Sequence, residues 1–218
     1  MSEMNNELNN KTTDRGKLVI VSGFSGVGKG TVMKELIAGN SNYALSVSAT
    51  TRAPRNGEIE GVSYFYKTRE EFEQMIERDE FLEYALYVDN YYGTPKAFVE
   101  KKRDEGKDVL LEIELQGALL VKEKCPDAIL IFITTKDAKT LVDRLTGRGT
   151  ETQEQIQKRI NRAKDEAQGV ESYDYIVIND ILKDCVETVD RIVRNEHNRK
   201  DDNISIISDI RKELYENF

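Results

Sequence analysis

The chain has 218 residues, enough for one α/β domain with a buried core. Its formal net charge of −8 argues against a backbone footprint on long nucleic acid. No apolar run approaches the length that crosses a bilayer, which excludes a membrane-spanning helix.

Residues 1–15 are polar and Asn-rich, without the apolar core of a secretory signal, and read as a disordered leader. Residues 17–22 (KLVIVS) form a short apolar run rich in β-branched side chains, the pattern of a strand buried on both faces. A Gly-rich turn follows, and a helix begins at 31–37. Further buried strands are expected at 45–49, 109–113, 129–134 and 175–178, with helices at 95–105, 116–124, 138–148 and 152–168. This alternation predicts an α/β fold: a parallel sheet of the P-loop NTPase type with helices on both faces.

Residues 52–90 break the alternation. There 62–66 reads as an edge strand, Thr68 with Glu71 as a capping box opening a helix, and 81–88 as another strand. A small mixed α/β insertion is therefore expected. Thr152 with Gln155 marks a second capping box, preceded by an Arg- and Gly-rich stretch at 144–150 that reads as mobile. Beyond residue 198 the tail is charged, with a weak helical pattern over 204–215. The two cysteines, Cys125 and Cys185, lack metal-ligand spacing and read as reduced thiols, which suits the cytoplasm. The single histidine, His197, sits in a charged stretch and reads as exposed, so acid–base chemistry by imidazole is not expected.

Residues 23–31 read GFSGVGKGT, a match to G-x-x-x-x-G-K set between a strand and a helix, the context a phosphate cradle needs. Glycines let backbone N–H groups turn inward around an anion, and the helix N-terminus adds its positive end. Gly23, Ser25, Gly26, Val27, Gly28, Lys29, Gly30 and Thr31 are thus candidate nucleotide-phosphate contacts, with Lys29 a mobile charge for the β and γ phosphates. A P-loop alone leaves a GTPase, a motor, a transporter subunit or a small-molecule kinase open. Gly30 occupies the position where Ser or Thr usually holds magnesium, and that role passes to Thr31.

Residues 46–55 (SVSATTRAPR) follow a predicted strand at the end where α/β sheets bind ligands. Arg52 and Arg55, separated by Ala-Pro, offer two planar donor forks to a dianionic phosphate. Tyr64 and Tyr92 can add hydroxyl donors. Alternation on one strand puts Glu112 and Glu114 on the same face, which is costly unless they are paired or a cation lies near.

Six ordered blocks now coincide: GFSGVGKGT, SVSATTRAPRNGEIEGVSYFY, EFLEYALYVDNYYGT, LLEIELQGA, RLTGRGTET and VIND. In order and spacing they resemble the guanylate kinase family from about residue 17 to about residue 194. The resemblance implies transfer of a phosphoryl group from magnesium-bound ATP to GMP or dGMP. It implies that Arg52, Arg55, Tyr64 and Tyr92 hold the GMP phosphate and that Ser48, Glu83 and Thr94 read guanine. Glu112 and Glu114 match an acidic pair between the nucleotides, usually aspartates in relatives. Arg144, Arg148 and Arg159 match lid arginines that close on ATP, and Asn179 a position near adenine. Phe24 stands where many members carry proline. The base preference has a chemical reason: guanine presents N1–H and its amine as adjacent donors to a carboxylate such as Glu83, whereas adenine presents a lone pair at N1.

The implied organisation is a core of 16–51, 91–135 and 170–198, a GMP-binding insertion at 52–90, a lid at 136–169 and a tail at 199–218. Lys29, Arg52, Arg148 and Arg159 are the expected catalytic residues, in an in-line transfer without a phosphoenzyme. The acceptor oxygen is already anionic and needs no general base, which agrees with the lack of a usable histidine. The remaining alternatives are a kinase for another acceptor, such as AMP or a ribose phosphate, and an inactive interaction module. The first would lack much of the GMP-reading segment and the second would carry a degraded P-loop. A GTPase would call for N-K-x-D, which is absent. Self-association as a homodimer is left open by the tail.

Overall fold

A computed structural model describes residues 15–147 and 152–217. In chain order the first half contains β1 (Leu18–Gly23), α1 (Lys29–Gly39), β2 (Tyr43–Leu45), β3 (Ala49–Thr50), β4 (Phe65–Tyr66), α2 (Arg69–Glu77), β5 (Phe81–Tyr87), β6 (Asn90–Pro95) and α3 (Lys96–Asp104). The second half contains β7 (Asp108–Glu112), α4 (Leu115–Lys124), β8 (Ile129–Thr134), α5 (Ala138–Thr146), α6 (Gln153–Ala167), β9 (Tyr175–Ile178), α7 (Leu182–Glu196) and α8 (Lys200–Asn217).

β1 lies at the centre of a five-stranded parallel sheet of order β2-β7-β1-β8-β9. All six of its residues are buried, as its unbroken apolar run predicts. Val19 and Val21 face a core shared with Val32 and Leu36 of α1 and Val189 and Val193 of α7. Leu18 and Ile20 face the opposite core, with Val99 of α3 and Val121 of α4. The sheet is thus covered on both faces, and each such side chain taken from water contributes about 1.5–3 kcal/mol.

The second sheet has order β4-β3-β6-β5, with one parallel pair and two antiparallel pairs. Its small core stacks Phe72 of α2 on Phe81 at 4.3 Å between ring centroids and on Tyr91 at 5.1 Å. Thr68 and Glu71 form the expected capping box of α2, as do Thr152 and Gln155 for α6. The sheet draws on residues either side of 52–90, since β3 precedes that stretch and β6 ends after it.

Three expectations change. The strand expected at 45–49 is split, because β2 pairs with β7 in the first sheet and β3 with β4 and β6 in the second. Residues 46–48 are the crossing between sheets, with the Ser46 amide on Leu110 O and the Phe65 amide on Ser48 O. The helix expected from 95 begins at Lys96, and Pro95 closes β6, a strand the sequence reading missed. His197 is not a free exposed side chain: its Nε2 lies 2.8 Å from Oδ1 of buried Asp108, which also accepts the Lys17 amide.

Arg15, at the end of the stretch read as leader, donates to Asp104 of α3 at 3.2 Å. The tail forms one helix, α8, none of whose described residues is buried. Among the described residues no helix is long and apolar enough to cross a membrane.

Candidate active site

The turn after β1 owes its shape to two glycines. A Cβ on Gly23 would stand 2.2 Å from Ile133 O, so only glycine lets this strand end run against β8. Gly28 precedes α1 at φ 96°, a left-handed conformation that a side chain resists, and its missing Cβ leaves room for the Asn179 amide. Val27 is fully buried, and its carbonyl accepts from Asn179 Nδ2 at 2.8 Å and from Arg144 Nη1 at 3.2 Å. Two predicted ATP contacts therefore brace the loop's backbone directly. Phe24 meets Phe132 edge-on at 4.9 Å, so an aromatic ring fits the position without disturbing the loop.

Lys29 Nζ curls back to donate to Gly23 O at 2.7 Å and Phe24 O at 3.3 Å. Desolvation lowers its pKa below the usual lysine range, while Glu112, Glu166 and Glu114 oppose that shift. A cleft of about 420 Å³ opens beside it, lined by Gly23, Ser25 and Lys29, by Glu112 to Leu115 and by Tyr64. Phe132, Arg162 and Glu166 complete the lining.

The acidic pair reaches this cleft by a different route from strand alternation. β7 ends at Glu112, and Glu114 is the N-cap residue of α4, with φ −80° and ψ 166°. The chain turns there, so one carboxylate ends the strand and the other starts the helix. Desolvation raises the pKa of Glu112, opposed by the charge of Lys29. Glu114 forms an ion pair with Arg162 of α6.

On the acceptor side, Arg52 Nη2 donates to Glu58 Oε1 at 2.8 Å, and its guanidinium stacks over Tyr64 at 5.3 Å from the ring centroid. Tyr64 and Tyr92 rings meet edge-on at 6.1 Å. Arg55 is exposed, and its backbone amide donates to Glu58 Oε2 at 2.7 Å. Tyr66 Oη donates to the same oxygen at 2.8 Å. With Arg52 foremost and two further donors, the Glu58 carboxyl is held down to about 2. Glu58 is absent from the sequence reading because its role depends on a loop folding back on itself.

Glu83 and Thr94 come together across the β5–β6 pair. Thr94, almost wholly buried, donates its hydroxyl to Glu83 Oε1 at 2.6 Å. Burial raises the Glu83 pKa, and the Thr94 bond partly offsets that. Gly117 of α4 admits this carboxylate, since a Cβ there would stand 3.3 Å from Glu83 Oε2. Ser48 lies half-buried at the crossing between the sheets.

Thr31 is exposed in the first turn of α1 and is not among the residues lining the cleft. At Gly30 a Cβ would be 3.8 Å from Glu112 Oε2, so this turn passes close to a cleft acid. Among the described residues no group of three or more His, Cys, Asp or Glu is arranged to hold a metal. A magnesium ion carried by phosphate oxygens needs few protein ligands, and the cleft carboxylates of Glu112 and Glu114 are oxygen donors of the kind it takes. Arg159 is half-buried on α6, and Arg148 lies outside the described residues. Arg162 and Glu166, which do line the cleft, carried no sequence signal beyond helical charge.

A sequence profile of the guanylate kinase family matches residues 15–196. A guanylate kinase of Halalkalibacterium halodurans is 50% identical over 188 residues, covering 86% of this chain and 92% of that protein. A guanylate kinase of Streptococcus mutans is 53% identical over 188 residues, covering 86% and 90%. Among solved structures, guanylate kinase from Anaplasma phagocytophilum superposes with a TM-score of 0.64 at 31% identity, covering 83% of this chain and 86% of that one.

Proposed function

The chain belongs to the guanylate kinase family, and on that premise we propose that its cleft moves the terminal phosphoryl group of ATP onto GMP, or dGMP, giving ADP and the diphosphate. The observation that carries this reading is a shared wall: Tyr64, against which Arg52 stacks, lines the same cleft as Gly23, Ser25 and Lys29. Donor cradle and acceptor grip therefore face one space.

In this reading the P-loop amides and Lys29 hold the ATP phosphates, and Arg52, Arg55, Tyr64 and Tyr92 hold the GMP phosphate. Glu83, Thr94 and Ser48 read the base, and Asn179 and Arg144 steady the donor side. The chemistry asked of the protein is electrostatic. Two anionic groups must approach in line, and fixed cations lower that cost without a general base or a phosphoenzyme. Magnesium bound with ATP would add charge neutralisation on the transferred phosphoryl group, and Thr31 is the hydroxyl proposed to hold it. The insertion at 52–90 and the lid at 136–169, with Arg148 and Arg159, close over the nucleotides and exclude water. The cytoplasm is the proposed compartment, in keeping with two unpaired cysteines. The exposed isoleucines of α8 are what supports a homodimer, which sedimentation at several concentrations checks.

The test is an ADP-release assay with magnesium-ATP and GMP, AMP or no acceptor. Turnover with GMP alone is the expected result. Turnover with AMP at a similar rate would overturn the assignment of base choice to Glu83.

A further inference from the structure

Resting on that reading of the cleft, we propose that Arg162 is a positioning residue of the phosphoryl-transfer site, neutralising Glu114 and Glu166 so that anionic nucleotides can lie beside them. Among the described residues, the charged side chains lining the cleft are two cations, Lys29 and Arg162, and three carboxylates, Glu112, Glu114 and Glu166. Within that set carboxylates outnumber cations by one, and by two if Arg162 is lost. Arg162 sits where it can act on both neighbours at once. It forms an ion pair with Glu114 at the start of α4, and its Nε donates to Glu166 Oε1 at 3.1 Å one turn along α6.

Glu166 needs this partner most. Its side chain is only 14% exposed, and its Oε2 has no hydrogen-bond partner among the described residues. Burial raises its pKa, and Arg162 is the foremost group opposing that shift. The pair with Glu114 is more open, at 43% and 70% exposure, so its contribution to stability is small. Losing Arg162 therefore costs little at the open Glu114 pair but strands the mostly buried Glu166, and it leaves two uncompensated carboxylates beside the phosphate path. A lysine would restore the charge, though not the fork that touches both acids.

Steady-state kinetics of Arg162→Gln, Arg162→Lys and Arg162→Gln/Glu166→Gln test the idea. R162Q should raise KM for both ATP and GMP about fivefold at low ionic strength, with the gap to wild type closing as salt is added. Its melting temperature should fall by about 2–6 °C as Glu166 loses its partner, a drop that the double variant with a neutral glutamine should reverse. R162K should lie close to wild type, and the double variant should recover most of the loss. An unchanged KM in R162Q overturns the proposal, as does R162K failing as badly as R162Q. Equilibrium titration with ATP of the same variants reads the charge effect even if wild type fails to phosphorylate GMP. The two ideas can then fall separately: weaker ATP binding by R162Q supports the proposal, and equal binding sinks it.

Discussion

Glu83 is half-buried between β5 and α4, and only the Thr94 hydroxyl, 2.6 Å away, satisfies it within the described residues. A carboxylate in this state is costly alone and selective when paired, because a guanine edge supplies the donors it lacks. Burial raises its pKa, so its proton is lost at a higher pH than from an exposed glutamate. Two consequences follow in opposite senses. Stability from the tightly held proton is present below the unfolded value of 4.5 and fades as pH rises through the raised folded value. Use of GMP needs the ionised form, so kcat/KM for GMP falls as pH drops through that same raised value. Glu83→Gln should cost about a hundredfold in kcat/KM for GMP and remove this acid limb, with KM for ATP little changed. A pH profile of both proteins checks it, and an acid limb kept in the variant would assign the titration elsewhere.

At the scale of elements, the β5–β6 hairpin shows sequence and structure in tension. Tyr87 pairs with Asn90, leaving Val88 and Asp89 as a two-residue turn with φ of 44° and 66°. A β-branched residue with positive φ is strained, and hairpin turns of this kind favour asparagine and glycine. Val88 is 72% exposed, so replacing it removes no buried contact. Val88→Asn should stabilise the protein by about 1 kcal/mol, read as a rise of about 2–4 °C in thermal unfolding. The same hairpin explains why β6 was illegible. Its sequence NYYGTP carries a glycine and a proline, and strand pairing with β5 and β3 overrides that local preference. β1, β8 and the two capped helices were legible because each depends on its own residues and immediate neighbours. Glu58, Arg162 and Glu166 were not, since each acts through a partner brought near by folding. Glu114 was legible as a cleft acid but for the wrong reason, because strand period cannot foresee where the strand stops.

Across the whole molecule, the family match ends at residue 196 and α8 begins at Lys200. The helix touches the domain at its first turn, where Asp202 pairs with Lys17 at 2.7 Å and Asn203 donates to His197 O at 2.8 Å. Ile204, Ile206, Ile207, Ile210 and Leu214 all stay largely exposed. With so little buried, removal of residues 200–218 should lower the melting temperature by no more than about 2–4 °C and leave kcat with GMP unchanged. A larger drop in melting temperature would mean that α8 packs on something in solution, and the variant's sedimentation would then show whether a second copy is lost.

Lys29 has a further consequence for which anions the cradle retains. Its ammonium already donates to the carbonyls of Gly23 and Phe24, so any phosphate that recruits it must outcompete two built-in acceptors. Orthophosphate brings one small anion to that exchange and gains little net free energy from it. A triphosphate held as proposed would also collect loop amides and arginines along its length, and chelation would tip the balance. A loop that acts as the proposed donor cradle should therefore hold a polyphosphate more tightly than the single phosphates and sulfates of ordinary solution.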